Sequence, residues 1–160
     1  MGSGKGQARR THGIISRVAK INAGREIVKE YKDEASGELH RDDGPALLRR
    51  DGTEEWYKHG KLHREDGPAI EGGASAGEQW YLNGQRHRED GPAVDQPDGH
   101  QSWWRHGQKH RFGGPAITWA AGDVEWWVYG VEMSEAEARK AERLKRVAGL
   151  KLGSPEKVTF

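Results

Sequence analysis

Three times along the chain a histidine is followed three residues later by an aspartate: His40 and Asp43, His63 and Asp66, His87 and Asp90. An imidazole beside a carboxylate can act as a general base, and a chain with eight histidines could also hold a divalent metal. Both chemistries need side chains that converge, metal ligands to within about 2 Å of one ion. The spacing argues against convergence. The histidines open one heptapeptide, HREDGPA at 63–69 and again at 87–93, with near copies HRDDGPA at 40–46 and HRFGGPA at 110–116. These start 23, 24 and 23 residues apart. The aromatic pairs Trp56-Tyr57, Trp80-Tyr81, Trp103-Trp104 and Trp126-Trp127 follow at steps of 24, 23 and 23. Two independent markers sharing one period define an internal repeat.

If each repeat adds two strands, equivalent histidines stand ~10 Å apart and cannot meet at one ion. The corner is therefore read as structural, and no catalytic residue, metal ligand or cofactor is assigned. His and Asp are expected to satisfy backbone groups, Arg to lie across the neighbouring unit, and Gly-Pro to fix the turn. The hydrolytic alternative would make His63 and Asp66 a dyad. His59 and His106, just before glycines, and the isolated His12 and His100 are read as surface residues.

Within a period, Pro68-Ala69-Ile70 opens a short strand, with proline at the first position where a missing N–H is tolerated. A glycine turn follows, as at Asp51-Gly52 or Asp98-Gly99, then an aromatic strand such as TEEWYKHG that ends at a second glycine, Gly60 in that unit. The unit is a β-hairpin. Stacked hairpins pair edge to edge, and one aromatic of each pair is expected in the core ladder with the other on the opposite face.

The ends depart from the unit. Residues 25–40 keep Ile27-Val28, Tyr31 and Gly37 and read as a degenerate capping hairpin. From residue 134 the spacing turns helical. Ser134 and Glu137 form a capping box, Ala141, Leu144 and Ala148 share a face, and Gly149 is a stop. This helix is expected to cover the open edge of the last hairpin. The division is thus a basic arm at 1–25, hairpin repeats at 26–133, a capping helix at 134–150 and a tail at 151–160.

Composition supports an elongated body with a thin core: 33% hydrophobic, 32% charged, 23 glycines and no cysteine. No apolar run reaches the ~20 residues of a membrane span, and the start lacks a signal-peptide stretch, so a cytoplasmic protein is expected. The net charge of +1 conceals segregation. Residues 1–25 hold six Lys/Arg and no acid, 26–133 hold 13 against 21 Asp/Glu, and 134–160 hold seven against four. GSGKG at 2–6 lacks the spacing of a phosphate loop. The arm has two readings. Lys5, Arg9, Arg10, Arg17 and Lys20 would neutralise nucleic-acid phosphates, or the arm is a solvated leader that orders on a partner or folds back on the acidic body through Ile14, Ile15 and Val18. The second is preferred, because the arm has no aromatic side chain to stack on bases.

The pattern W-[YW]-x-x-G-x-x-H-R-x-D-G-P-A over about residues 38–131 resembles MORN-type repeats, and is closest to the divergent forms in phage, bacterial and giant-virus proteins. The resemblance implies an all-β fold, an elongated antiparallel sheet of stacked hairpins, and a scaffold or accessory role. It suggests a phage or viral accessory protein, a virion component or an inhibitor of a host system, in the host cytoplasm or the virion. The ordinary glycine pattern of the family is replaced here by the His-Arg-x-Asp-Gly-Pro-Ala corner, so lipid binding is not carried over. A rigid acidic face with Trp and Arg has the composition of a protein interface. The expected binding residues are Trp56, Trp80, Trp103 and Trp126 with Arg64, Arg88 and Arg111.

Overall fold

A computed structural model describes residues 26–73 and 76–149. The arm, the tail and the end of the helix region at Leu150 lie outside the described residues. The described residues open with β1 (Ile27–Glu30) and β2 (Leu47–Arg49). The first full unit gives β3 (Glu54–Glu55), β4 (Tyr57–Lys58), β5 (Lys61–Leu62) and β6 (Ile70–Glu71). The second gives β7 (Glu78–Gln79), β8 (Tyr81–Leu82), β9 (Gln85–Arg86) and β10 (Val94–Asp95). The third gives β11 (Gln101–Ser102), β12 (Trp104–Arg105), β13 (Gln108–Lys109) and β14 (Ile117–Thr118). The last contributes β15 (Val124–Val128) and β16 (Val131–Met133), followed by α1 (Glu135–Ala148).

Among the described residues the fold is all-β with one C-terminal helix. Ten strands form one antiparallel sheet in the order β1-β2-β3-β6-β7-β10-β11-β14-β15-β16, and β4-β5, β8-β9 and β12-β13 form three two-stranded ribbons beside it. The ribbons arise because the aromatic strand is interrupted at Trp56, Trp80 and Trp103. Trp56 N–H donates to the Ala69 carbonyl at 2.8 Å, while the Trp56 carbonyl accepts from His63 N–H at 3.0 Å. A regular ladder would send both bonds to one residue. Here the five residues Arg64 to Pro68 are inserted between the two partners, and the same double bond recurs around Trp80 and Trp103. The last unit has no heptapeptide after its turn. Its strand runs unbroken as β15, with Met133 directly opposite Trp126.

The ribbons are also stitched to the next unit. Arg64 N–H donates to the Tyr81 carbonyl at 3.1 Å and Gly84 N–H to the Leu62 carbonyl at 2.8 Å. The ribbon turns carry His59, Asn83, His106 and Tyr129 at φ 47 to 51°, each followed by a glycine also at positive φ. Two consecutive left-handed residues make the type I′ turn that matches strand twist.

The core is thin. The corner residues Ala46, Ala69, Ala93 and Ala116 are fully inaccessible, and Leu47, Val94 and Ile117 beside them are buried. Strand alternation puts the alanines on one face with the first aromatic of each pair, and the aliphatic residues on the other. That other face repeats an aliphatic and a polar residue across the strands: Leu47 opposite Glu55, Ile70 opposite Gln79, Val94 opposite Ser102, Ile117 opposite Glu125.

The degenerate first hairpin is present, with the Lys32 to Leu39 bridge closed by Asp33 and Gly37. The helix starts at Ser134 with both bonds of the capping box and ends at Gly149 in the left-handed region. Its side chains seat it on the face of the last units. Arg139 lies 5.4 Å from the Trp126 ring, Lys145 lies 4.6 Å from the Phe112 ring, and Glu142 accepts the Gly113 N–H at 3.1 Å.

Candidate interaction face

The repeated corner builds the site from four residues. Its histidine caps the turn of the next unit. Nδ1 of His40, His63, His87 and His110 accepts the backbone N–H of His59, Asn83, His106 and Tyr129, at 3.1 to 3.2 Å. These donors are the residues held at positive φ, so each corner compensates a strained turn in its neighbour. Ring contact adds to this: His40 on His59 at 4.4 Å, His87 on His106 at 4.3 Å, and His110 on Tyr129 at 4.1 Å.

The corner arginine folds onto its own unit. The guanidinium carbons of Arg64, Arg88 and Arg111 lie 4.1, 4.1 and 3.8 Å from the Trp56, Trp80 and Trp103 rings, and Arg41 lies 4.2 Å from Tyr31. This corrects the expectation that Arg crosses to the neighbouring unit: only its main chain does. The same guanidinium donates to the carbonyl four residues on, Pro68, Pro92 or Pro115, at 3.1 to 3.2 Å. The aspartates correct a second expectation. Asp66 and Asp90 take the Arg64 and Arg88 Nε–H, at 3.1 and 3.2 Å, where a backbone role was expected.

The glycine of Gly-Pro is required by this packing. A Cβ on Gly67, Gly91 or Gly114 would sit 2.7 to 2.9 Å from the arginine Cζ. Because the obstacle is the end of a flexible side chain, Gly91→Ala should displace Arg88 from Trp80 without breaking the backbone. The expected cost is about 1 kcal/mol, the scale of one exposed cation–π contact. A thermal melt showing a small loss, with altered tryptophan emission, checks it.

The hydrolytic dyad is not assembled. His63 Nε2 faces Glu65 at 3.3 Å, its Nδ1 is taken by the Asn83 N–H, and Asp66 is held by Arg64. Among the described residues no group of three or more His, Cys, Asp or Glu is placed to hold a metal ion. His100 packs on Trp119 at 4.6 Å, whereas His12 and the arm residues Lys5, Arg9, Arg10, Arg17 and Lys20 lie outside the described residues.

Neither aromatic of a pair is fully buried or fully exposed. The first, Trp56, Trp80, Trp103 or Trp126, is covered by an arginine. The second hydrogen-bonds to the polar residue two positions back. Tyr57 Oη donates to Glu55 at 2.9 Å, and the indole N–H of Trp104 and Trp127 donates to Ser102 and Glu125 at 2.8 Å. Burial and the bond to Glu55 push the Tyr57 hydroxyl up to about 12. This second face holds cations among its rings, Arg86 at 5.3 Å from Trp104 and Lys109 at 4.1 Å from Trp127.

The first face is acidic. Arg64 links its parts, touching Trp56, Asp66 and Glu71 together. Along the corners stand Asp42, Asp43, Glu65, Asp66, Glu89 and Asp90, whose side chains are 66 to 87% exposed. Across the strands runs a second set, with Glu54 opposite Glu71 and Glu78 opposite Asp95. Sequence reading missed this set and the fifth aromatic–arginine pair, Trp126 with Arg139. The period carried a signal for the first: Glu54 and Glu78, like Glu71 and Asp95, are 24 residues apart.

No family model, no curated protein and no solved structure matches the chain. Among the described residues no helix is long and apolar enough to cross a membrane.

Proposed function

We propose that the protein is a non-enzymatic interaction module that presents the Trp–Arg face of its sheet to a basic protein partner. The observation that carries this reading is the exposure of the six corner carboxylates on a frame whose every joint is bonded to the next unit. Fixed charges on a rigid ladder lose little entropy on binding and steer a partner of opposite sign. The tryptophans support the frame under the arginines and offer their remaining edges at the centre of the face. The MORN-like character of the repeat fits a scaffold or accessory role, and we extend it to a phage or viral accessory protein.

The test is comparative capture from the native cell, wild type against a variant with Asp42, Asp43, Glu65, Asp66, Glu89 and Asp90 changed to Asn or Gln. A basic protein retained by the wild type, eluted by salt and lost from the folded variant is expected. Equal recovery by both would overturn the reading. Recovery of nucleic acid, lost when Arg9, Arg10 and Arg17 are changed to Glu, would support the arm as the binding element instead.

A further inference from the structure

The cross-strand carboxylates pose a problem that the corner acids do not. Like charges directly opposite each other in an antiparallel pair are destabilising. Yet Glu54 faces Glu71, and Glu78 faces Asp95. Glu71 has Arg64 at 3.2 Å and Asp95 has the Gln101 amide at 3.1 Å. Glu54 and Glu78 have no side-chain partner among the described residues. They wall a groove of about 440 Å³ with Glu71, over a floor that includes Gly52 and Gly72.

The chain holds a complement to this row. Residues 1–25 carry six Lys/Arg and no acid, and they join the sheet at Glu26. Glu26 is fixed there, its carbonyl accepting the Arg50 N–H and its carboxylate the Arg50 Nε–H, both at 2.8 Å. That point is the strand end beside the Asp51 to Thr53 turn, the same end of the sheet as Glu54. With strands about 4.8 Å apart, the row from β3 to β10 lies ~10 to ~24 Å from β1. Extended chain covers up to ~3.3 Å per residue, so Lys20 can reach ~20 Å and Arg17 ~30 Å from Glu26. The reach of the arm's cations matches the extent of the row.

We propose that the N-terminal arm is the face's own occupant: residues 1–25 lie across Glu54, Glu71, Glu78 and Asp95 and compete there with any basic partner. The inference concerns the face of the proposed function but needs no partner to exist, so either can fail alone. It is tested on the full chain by carbodiimide cross-linking and peptide mass spectrometry. Lys20 should link within one molecule to Glu54, Glu71 or Glu78, and high salt should suppress the links. Links scattered over exposed acids such as Glu135 and Asp98 would overturn the proposal. So would links formed between molecules in an isotopically mixed sample.

A second measurement uses the Glu54→Gln, Glu78→Gln double variant, which removes no contact that holds the described fold. Its melting temperature should change little, since a like-charge pair is relieved at each position as a surface ion pair with the arm is lost. Tryptic cleavage after Arg17 and Lys20 should be roughly fivefold faster than in the wild type, the effect of losing two surface ion pairs. Cleavage at the wild-type rate would overturn the proposal.

Discussion

Lowering the pH from 7 to about 4 should cost the fold several kcal/mol, and most of the loss should trace to His110 and His87. The geometry gives the reason. Nδ1 of both His87 and His110 accepts a backbone N–H, which an imidazolium cannot do. His110 is also held down to about 4 by burial first, then by Arg105 and Lys145. Phe112 meets its ring edge-on where the other corners place a carboxylate. His87 is lowered by burial, His106 and Arg105, with Glu89 opposing.

The sign follows from linkage. Above pH ~6.5 His110 is neutral folded or unfolded, and its contribution is complete. Between ~6.5 and 4 the unfolded chain binds a proton that the folded chain refuses, so stability falls with pH. For His110 alone we expect a loss of about 2 kcal/mol after allowing for solvent screening. The control is His110→Asn, whose Oδ1 stands where Nδ1 stood and does not titrate. This variant should be less stable at pH 7, having lost the stacking on Tyr129, but flatter between pH 6.5 and 4. Urea titrations over that range decide the matter, and a slope equal to the wild type's would sink the assignment.

The period and the thin core were legible because the residues enforcing them are of unusual type. Glycine at the left-handed hairpin turns, a Gly-Pro step at each corner and a tryptophan every 23 or 24 residues survive any reading of the chain. The corner was harder. His63 and Asp66 look like neighbours in sequence, yet one reaches forward to the turn at Asn83 and the other back to Arg64. Nothing in the order of letters shows that Arg64 to Pro68 is an insertion opposite one tryptophan. That is a property of which carbonyl Trp56 N–H chooses. The arginine was placed on the wrong unit for the same reason: the insertion turns its side chain back while its main chain goes on. Arg139 was hidden by type, since one arginine in a basic helix looks like any other. It substitutes for the corner that the last unit lacks.

Gly113→Asp should cost about 2 kcal/mol, although it restores the aspartate of the other corners. The fourth corner reads HRFGGPA where the others carry acids, and the two departures serve the helix. Phe112 lies under Lys145, and Gly113 gives its N–H to Glu142. Gly113 adopts φ 83°, whereas Asp43, Asp66 and Asp90 are not among the left-handed residues. An aspartate forced there meets the left-handed penalty of ~1 to 2 kcal/mol and sets its carboxylate beside that of Glu142. What it would gain, an exposed pair with Arg111, is worth at most ~1 kcal/mol. Helix α1 should loosen first, exposing Trp126 as Arg139 withdraws. The reciprocal change, Asp90→Gly, removes only an exposed ion pair and should stay within about 1 kcal/mol of the wild type. Hydrogen exchange along the helix, with thermal melts of both variants, tests the pair. Equal effects of the two substitutions would mean that the fourth corner is an ordinary repeat and that the helix does not depend on it.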